Sequence, residues 1–273
     1  MTLTGSDFEF VRSLVRRDSA IELDATQGYL VDSRLSSLAR ELGLPSLQTL
    51  FEKLRAPGAA DLLRRVVERM TTNETSFFRD PHYYDALRST VLPGLIAARQ
   101  RERKLSIWSA AASSGQEIYS IAMTVEEMRS SIEGWYVRLL ATDLCESMLS
   151  RCREGKYRQF EVSRGLSAPQ LLKFFDRDGC DWQLKKRVRD LVEFKVMNLA
   201  EPWPAVASMD LIFLRNVLIY FSVETKKRIL ANVRQVLRPD GWLVLGSTES
   251  MFGIDDRFER HEIAKAIFYR PKP

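Results

Sequence analysis

A run of very small side chains lies between an apolar segment and a helical pattern near the middle of this chain. The apolar segment is 105–109, the small-residue run is 109–115, and a helix is predicted from Glu117 onwards. Ligands of open parallel sheets bind outside the carboxyl ends of the strands, where only small residues let a cofactor approach the backbone. The run is therefore predicted to be a cofactor-binding loop. Its one glycine, Gly115, does not give the Gly-x-Gly-x-x-Gly pattern of dinucleotide sites, which disfavours hydride transfer.

Glu117 also has a purely structural interpretation. Ser114 and Glu117 have the Ser-x-x-Glu spacing of a capping box, in which the two side chains close the first turn of a helix. The sequence alone leaves the capping role and the cofactor role of Glu117 open.

An acidic residue, Asp143, ends the next predicted strand in the stretch VRLLATD. A carboxylate at that strand tip can accept hydrogen bonds from both hydroxyls of a nucleoside ribose. An isolated aspartate at a strand end is also an ordinary structural feature. The prediction of a nucleoside site therefore depends on the combination of this acid with the small-residue loop.

Two further predicted strand tips carry polar and aliphatic pairs. Asn198 and Leu199 follow one strand, where an amide could read the edge of an adenine and an aliphatic side chain could cover its face. Asn216 and Val217 follow the next strand. Four successive strand tips are thus predicted to converge on one crevice.

The elements that must position these residues alternate between strand and helix from about residue 86. Strands are predicted at 105–109, 137–142, 192–197, 209–214, 242–247 and 266–270. Helices are predicted at 117–129, 146–153 and 223–236. The pattern favours an α/β fold with a mostly parallel sheet. Residues 156–191 interrupt it with short strand-like runs around a glycine turn, which indicates a small insertion bearing a hairpin.

Residues 6–85 show helical periodicity throughout and are predicted to form a small helical domain. The second helix carries an apolar stripe, and its opposite face holds Arg40 with Arg34 on the flank. This polar face is either simply solvated or a surface for a partner.

Composition restricts the function classes. The chain has 273 residues, 45% hydrophobic and 28% charged, which is typical of a globular protein. Its net charge of +5 comes with no basic tail or arginine-rich segment, so nucleic-acid binding is not favoured. No apolar run approaches the length of a membrane span, and no secretory signal is apparent, so a cytoplasmic location is expected. With His82 and His261 alone and no Cys-x-x-Cys, no metal site is expected.

Separated motifs along nearly the whole chain resemble the CheR family of chemotaxis receptor methyltransferases. The motifs are TTNETSFFRD at 71–80, WSAAASSGQEIYSIAM, LLATDL, REGKY, FLRNVLIYF and LRPDGWLVLGSTES. The resemblance implies a Rossmann-like class I S-adenosylmethionine-dependent methyltransferase fold. It implies a helical domain and linker at 1–85 and a catalytic domain at 86–273, with an inserted β-subdomain at about 156–191.

The implied activity is S-adenosylmethionine-dependent methylation of glutamate side chains on chemotaxis receptors, giving methyl esters and S-adenosylhomocysteine for sensory adaptation. The resemblance assigns the following residues to the cofactor: Asn73, Thr75, Ser76, Arg79, Glu117, Asp143, Asn198, Leu199, Asn216 and Val217. It assigns steering of the acceptor to Arg79 and Tyr220. Arg34 and Arg40 would face the cytoplasmic helical domain of the receptor, and the protein is expected to be a monomer without membrane insertion.

Two other functions stay open at this point. One is a methyltransferase for a different acceptor, although enzymes acting on planar nitrogens commonly carry Asn-Pro-Pro-Tyr where this chain has Arg215, Asn216, Val217 and Leu218. The other is a non-catalytic cofactor-binding sensor or scaffold. The cofactor loop departs from the family's more frequent A-C-S-T-G-E-E-P at Gln116 and Ile118, but it keeps Glu117.

Overall fold

The computed structural model describes residues 3–273, and this part of the chain divides by internal contacts into two compact units. The helical unit contains the residues up to Asn73 together with Tyr220–Thr225. The sheet unit contains Glu74–Ile219 and Lys226–Pro273. Residues 74–85, grouped by the sequence with the helical domain and its linker, thus pack with the sheet.

The helices of the helical unit are α1, Gly5–Ser19; α2, Gly28–Glu41; α3, Leu47–Arg55; and α4, Ala60–Met70. Local chemistry sets two of their starts, because the side chains of Thr4 and Ser46 accept hydrogen bonds from the first turns of α1 and α3. The predicted apolar stripe of α2 is buried at Val31, Leu35 and Leu38. The helical N-terminal domain is therefore confirmed.

Arg34, on α2, binds the carboxyl end of α4. Its Nη1 donates to the carbonyl oxygens of Arg69, Met70 and Thr71 at 3.2, 2.7 and 3.0 Å, and its Nη2 lies 3.3 Å from Thr72 Oγ1. The last carbonyls of a helix lack intrahelical partners and form the negative end of its dipole. Arg34 therefore acts as a charged cap for α4, and burial lowers the pKa of its guanidinium.

We expect Arg34→Ala to lower the free energy of unfolding by about 1–3 kcal/mol, because the carbonyls at the end of α4 lose a charged donor. Arg40→Ala is the matched control, since Arg40 lies on the same helix, is exposed and donates to Ser36 O at a long 3.4 Å. The control should change stability by less than about 0.5 kcal/mol. Urea denaturation of both variants measures the difference, and equal losses would contradict the capping role.

The strands in chain order are β1, Lys104–Ala110; β2, Tyr136–Asp143; β3, Lys156–Arg158; β4, Phe175–Asp178; β5, Asp181–Leu184; β6, Val192–Val196; β7, Met209–Leu214; β8, Leu237–Leu245; β9, Phe258–Ile263; and β10, Ala266–Pro271. The remaining helices are α5, Pro81–Ala86; α6, Leu92–Ala98; α7, Gln116–Glu127; α8, Glu146–Glu154; α9, Gln159–Val162; α10, Ala168–Phe174; α11, Lys186–Arg189; and α12, Val223–Val236. Among residues 3–273, no helix combines the length and the apolar composition needed to cross a bilayer.

Seven strands of the described residues form the main sheet, in the order β6-β2-β1-β7-β8-β10-β9. Strands β6, β2, β1, β7 and β8 pair in parallel, and β10 is antiparallel to both of its neighbours. The strand order reverses between β1 and β7, so the loops after these strands meet at a topological switch point. The predicted Rossmann-like α/β fold class is confirmed.

A smaller antiparallel sheet with the order β3-β5-β4 lies inside the predicted insertion. Its hairpin joins β4 to β5 through a turn in which Gly179 has φ of 61°. Strand β9 was not predicted from the sequence. It pairs on one side with β10, and Glu259, Arg260 and Glu262 within it are exposed, so its sequence lacks the apolar run of a buried strand.

Candidate functional site

The predicted cofactor loop leads from β1 into α7 with an unusual backbone. Ala111, Ser113 and Gly115 have positive φ angles of 67°, 51° and 95°. A side chain at Gly115 would bring its Cβ to 2.9 Å from the Cys152 sulfur and 3.0 Å from the Tyr157 hydroxyl. Only glycine satisfies both the backbone angle and this close packing.

Cys152 and Tyr157 support the loop through its carbonyl groups. The Cys152 thiol donates to Ser113 O at 3.1 Å, and the Tyr157 hydroxyl donates to Ser114 O at 2.8 Å. The Tyr157 ring packs edge-on against Phe77, with 5.0 Å between ring centroids. Burial raises the pKa of both donors, so they keep their protons at neutral pH and hold the loop in one conformation.

Asp143, at the end of β2, holds the loop from the other side. Its Oδ2 accepts from Ser113 N at 2.8 Å, and its Oδ1 accepts from Cys145 N at 2.9 Å. Burial raises the pKa of the carboxyl group, and hydrogen bonds from Cys145, Ser113 and Leu144 oppose this effect. The carboxylate thus lies at the tip of β2 beside the loop, where the sequence predicts an acceptor for ligand hydroxyls.

Glu117 does not form the capping box that its spacing suggested. The N-cap residue of α7 is Gly115, which has no side chain, and the Ser114 hydroxyl donates instead to Gln116 Oε1 at 2.8 Å. Glu117 Oε1 accepts from the Ser109 hydroxyl at 2.8 Å, and Oε2 lies 3.2 Å from Arg215 Nη1. Burial raises the pKa of Glu117, whereas the Arg215 charge lowers it.

Arg215, the residue after β7, joins Glu117 to the start of the sheet unit. Its Nη2 donates to Asp80 Oδ2 at 2.5 Å, and its Nη1 donates to Arg79 O at 3.2 Å. The guanidinium also lies over the Tyr83 ring, 4.6 Å from the centroid. Its side chain is only 1% exposed, so the charge is compensated entirely within the protein.

The segment that precedes α5 carries three of the predicted cofactor residues. Ser76 is buried, whereas Thr75 and Arg79 are partly exposed, and Arg79 Nη1 donates to Glu74 O at 3.2 Å. Phe78 has a positive φ of 46°, which is rare for a bulky residue. This conformation is held in place because Phe78 N donates to the buried Ser120 hydroxyl of α7 at 2.9 Å.

The tip of β7 is fixed by a glutamate from the loop after β8. Glu249 Oε2 accepts from Asn216 N and Gly246 N, both at 2.7 Å, and Oε1 accepts from Ile219 N at 3.3 Å. These contacts hold Asn216 at a φ of 57°. Asn216 and Val217 are both partly buried at this tip.

The tip of β6 forms its own local turn. Asn198 Oδ1 accepts from Ala200 N at 3.0 Å, and Leu199 is buried. Leu199 O accepts from the Trp203 indole at 3.0 Å, and the Trp203 ring packs edge-on against Trp108 of β1. The roles of Asn198 and Leu199 toward adenine stay predictions.

Two predicted site residues belong to the helical unit. The Asn73 amide donates to Thr71 Oγ1 at 3.0 Å. Tyr220 is partly exposed, and its carbonyl accepts from Glu22 N at 3.0 Å. Their roles in cofactor binding and acceptor steering also stay predictions.

In the sheet unit, Asp143 binds the small-residue loop directly. Glu117 is connected to the main chain of Arg79 through Arg215. The sequence had not revealed the partners that make these connections: Asp80, Ser109, Cys152, Tyr157, Arg215 and Glu249. Several lie inside the motifs that carry the family resemblance. Nothing in the sequence pairs them, however, because Arg215 and Asp80 are 135 residues apart.

Comparison with known proteins gives matches over both units. Residues 73–267 match the family model described as "CheR methyltransferase, SAM binding domain", and residues 6–71 match "CheR methyltransferase, all-alpha domain". The chain is 38% identical to Chemotaxis protein methyltransferase Cher2 of Pseudomonas putida and to Chemotaxis protein methyltransferase 1 of Pseudomonas aeruginosa, over 100% of each chain. It is also 38% identical to Chemotaxis protein methyltransferase 1 of Vibrio cholerae, over 100% of this chain and 99% of that protein.

Proposed function

The chain belongs to the CheR methyltransferase family, and we propose that it transfers a methyl group from S-adenosylmethionine to glutamate side chains of chemotaxis receptors. The products are a glutamate methyl ester and S-adenosylhomocysteine. The observation that supports this activity best is the pair of carboxylates on either side of the small-residue loop, Asp143, which is buried, and Glu117, which is largely buried. The proposal includes a monomeric enzyme that acts in the cytoplasm on the helical signalling domain of the receptor.

The side chains around the loop fit S-adenosylmethionine. The Asp143 carboxylate, at the tip of β2 beside the loop, suits the two ribose hydroxyls. Glu117 suits the positively charged amino group of the cofactor, and the Arg215 charge favours its ionised form against the effect of burial. No side chain in the loop at 109–115 is larger than serine, so a cofactor can approach its backbone closely.

The acceptor needs positioning rather than deprotonation. S-adenosylmethionine supplies a methyl group bonded to a positively charged sulfur. A glutamate with a pKa of about 4.3 is already ionised near neutral pH, so no general base is required. Its oxygen forms the new bond to the methyl carbon while the carbon–sulfur bond breaks and the electron pair stays on sulfur. We propose that Arg79 and Tyr220 orient that carboxylate and help to exclude water from it.

The decisive experiment incubates the purified protein with methyl-labelled S-adenosylmethionine and receptor-containing membranes. We expect label on the receptor that is released as methanol in mild base, because methyl esters hydrolyse under these conditions. Receptors with the acceptor glutamates changed to alanine provide the control. Base-stable label would favour another acceptor group, and binding of S-adenosylhomocysteine without any transfer would favour a sensor or scaffold.

Tyr220→Phe should separate chemistry from cofactor binding. If the hydroxyl orients the acceptor, its loss should lower kcat by about tenfold or more and leave the Kd for S-adenosylhomocysteine nearly unchanged, because the contact acts mainly in the transition state. Calorimetry gives the Kd, and the labelled-methyl assay gives kcat. Equal losses in both would favour a structural role, and full activity would remove the proposed steering contact.

The receptor-docking role proposed for α2 is best tested at Arg40. Arg34 caps α4, so Arg34→Glu would disturb the helical unit itself and could not report on docking alone. Arg40 is exposed, so Arg40→Glu replaces attraction to the receptor by repulsion and breaks no buried contact. A single exposed charge contributes about 0.2–1 kcal/mol, so the rates of receptor methylation by Arg40→Glu and by the wild type must be compared at low ionic strength. Unchanged cofactor binding by the variant is the control.

A further inference from the structure

We propose that Arg215 is a positioning residue for the cofactor, which acts by holding the Glu117 carboxylate in place and tying it to the main chain of Arg79. This inference rests on the role proposed above for Glu117 toward the amino group of S-adenosylmethionine. It adds a residue that does not need to touch the cofactor, because its effect on binding passes through Glu117.

The contacts of Arg215 come from three separate parts of the sheet unit. Glu117 belongs to the first turn of α7, Asp80 immediately precedes α5, and Arg215 follows β7. Nη1 is shared between Glu117 Oε2 and Arg79 O, each at 3.2 Å, while Nη2 is engaged by Asp80 at 2.5 Å. The planar guanidinium therefore fixes the distance between the loop that precedes α5 and the first turn of α7.

The charges around Glu117 make its ionisation depend on Arg215. Glu117 is largely buried, and the positive groups acting on it are Arg215 and Arg79. Tyr84 also lies close enough to feel its charge, and Asp80 pairs with the opposite side of Arg215. Removing Arg215 leaves burial as the dominant influence, so the pKa of Glu117 should rise further. The ionised form, which the cofactor amino group requires, is then lost at a higher pH.

A second buried arginine provides a matched control at the other end of β7. Arg99 is 5% exposed and pairs with Asp210 at 2.6 Å, and Asp210 lies near the start of that strand. Both arginines lie in buried ion pairs of the same sheet unit. A purely structural role for Arg215 predicts that Arg215→Met and Arg99→Met behave alike. A positioning role predicts that only Arg215→Met changes cofactor binding.

The test measures the Kd of S-adenosylhomocysteine by calorimetry between pH 6 and pH 8. We expect Arg215→Met to weaken binding by about tenfold to a hundredfold at pH 7, with a larger loss at pH 6 than at pH 8. Arg99→Met should lower thermal stability and keep the wild-type Kd and pH profile. A folded Arg215→Met protein with a wild-type Kd at all three pH values 6, 7 and 8 would overturn the inference.

A double-mutant cycle keeps the test decisive if Arg215→Met does not fold. Replacing Glu117 by glutamine together with Arg215→Met removes both charges of the pair, and Asp80 is 28% exposed and can be hydrated. If Arg215 acts through Glu117, this double variant should bind S-adenosylhomocysteine within about threefold of Glu117→Gln alone. A further tenfold loss would overturn the inference. A wild-type Kd for Glu117→Gln would instead refute the proposed role of Glu117, whereas receptor methylation by the wild-type protein tests the proposed function separately.

Discussion

Asp143→Ala is expected to weaken the binding of S-adenosylhomocysteine by about tenfold to a hundredfold. Two losses combine in this variant. The ribose hydroxyls lose a charged acceptor worth about 1.5–3 kcal/mol. In addition, the hydrogen bonds that Ser113 N and Cys145 N donate to Asp143 at 2.8 and 2.9 Å are lost, so the cofactor loop is held less firmly.

Two further variants identify the source of the effect. Asp143→Asn keeps one oxygen acceptor and should fall between the wild type and the alanine variant. Asp255→Ala is the matched control, because Asp255 is buried and accepts from Arg257 N at 3.0 Å but lies after β8. It should lower stability and leave affinity unchanged. A Kd for a folded Asp143→Ala protein within threefold of wild type would remove Asp143 from the site.

Gly165→Ala should produce the largest loss of stability. A Cβ at Gly165 would lie 1.8 Å from the carbonyl oxygen of Phe77, and φ at this position is +106°, which L side chains rarely adopt. Because the obstacle is backbone, the Phe77 segment must move. Its ring is buried against Tyr157 and Phe175, at 5.0 and 5.6 Å between centroids. We expect the free energy of unfolding to fall by more than about 3 kcal/mol.

Gly179→Ala separates the steric clash from simple backbone strain. Gly179 also has a positive φ, +61°, but nothing lies within 4 Å of the position of its Cβ. This control should cost only about 1 kcal/mol, the usual penalty for a left-handed alanine. Urea unfolding followed by tryptophan fluorescence compares the two. Thr75 and Ser76, which are predicted to bind the cofactor, directly precede Phe77, so Gly165→Ala should also weaken cofactor binding. Similar small losses of stability in both variants would rule out the clash.

Local patterns were sufficient to predict most of the architecture. The strands β1, β2, β6 and β7 were predicted within about two residues of their observed ends, because buried parallel strands are short apolar runs with clear boundaries. The same local chemistry identified the small-residue loop and Asp143 at the tip of β2. Strand β9 was missed because exposed charges interrupt it, and its pairing with β10 is a long-range choice.

Local rules failed where a distant charge competed with them. The spacing of Ser114 and Glu117 satisfies a capping box, yet Gly115 caps α7 and Glu117 turns toward Ser109 and Arg215. Likewise, Arg34 was predicted on the flank of a polar face, but the open carbonyl end of α4 binds its guanidinium. A buried or half-buried charge pairs with the strongest partner that folding brings near it. For Glu117 and Arg34, that partner lies outside their own helix.

The sequence by itself therefore determined the family, the succession of elements and which strand tips carry polar side chains, since these depend on neighbouring residues and on ordered motifs. Only the tertiary structure decided which side chains act together. Arg215 reaches Glu117 across 98 residues and Asp80 across 135, and Glu249 reaches Asn216 across 33. These contacts exist because the parallel sheet brings the ends of distant strands to one edge, where burial makes each charge require a partner.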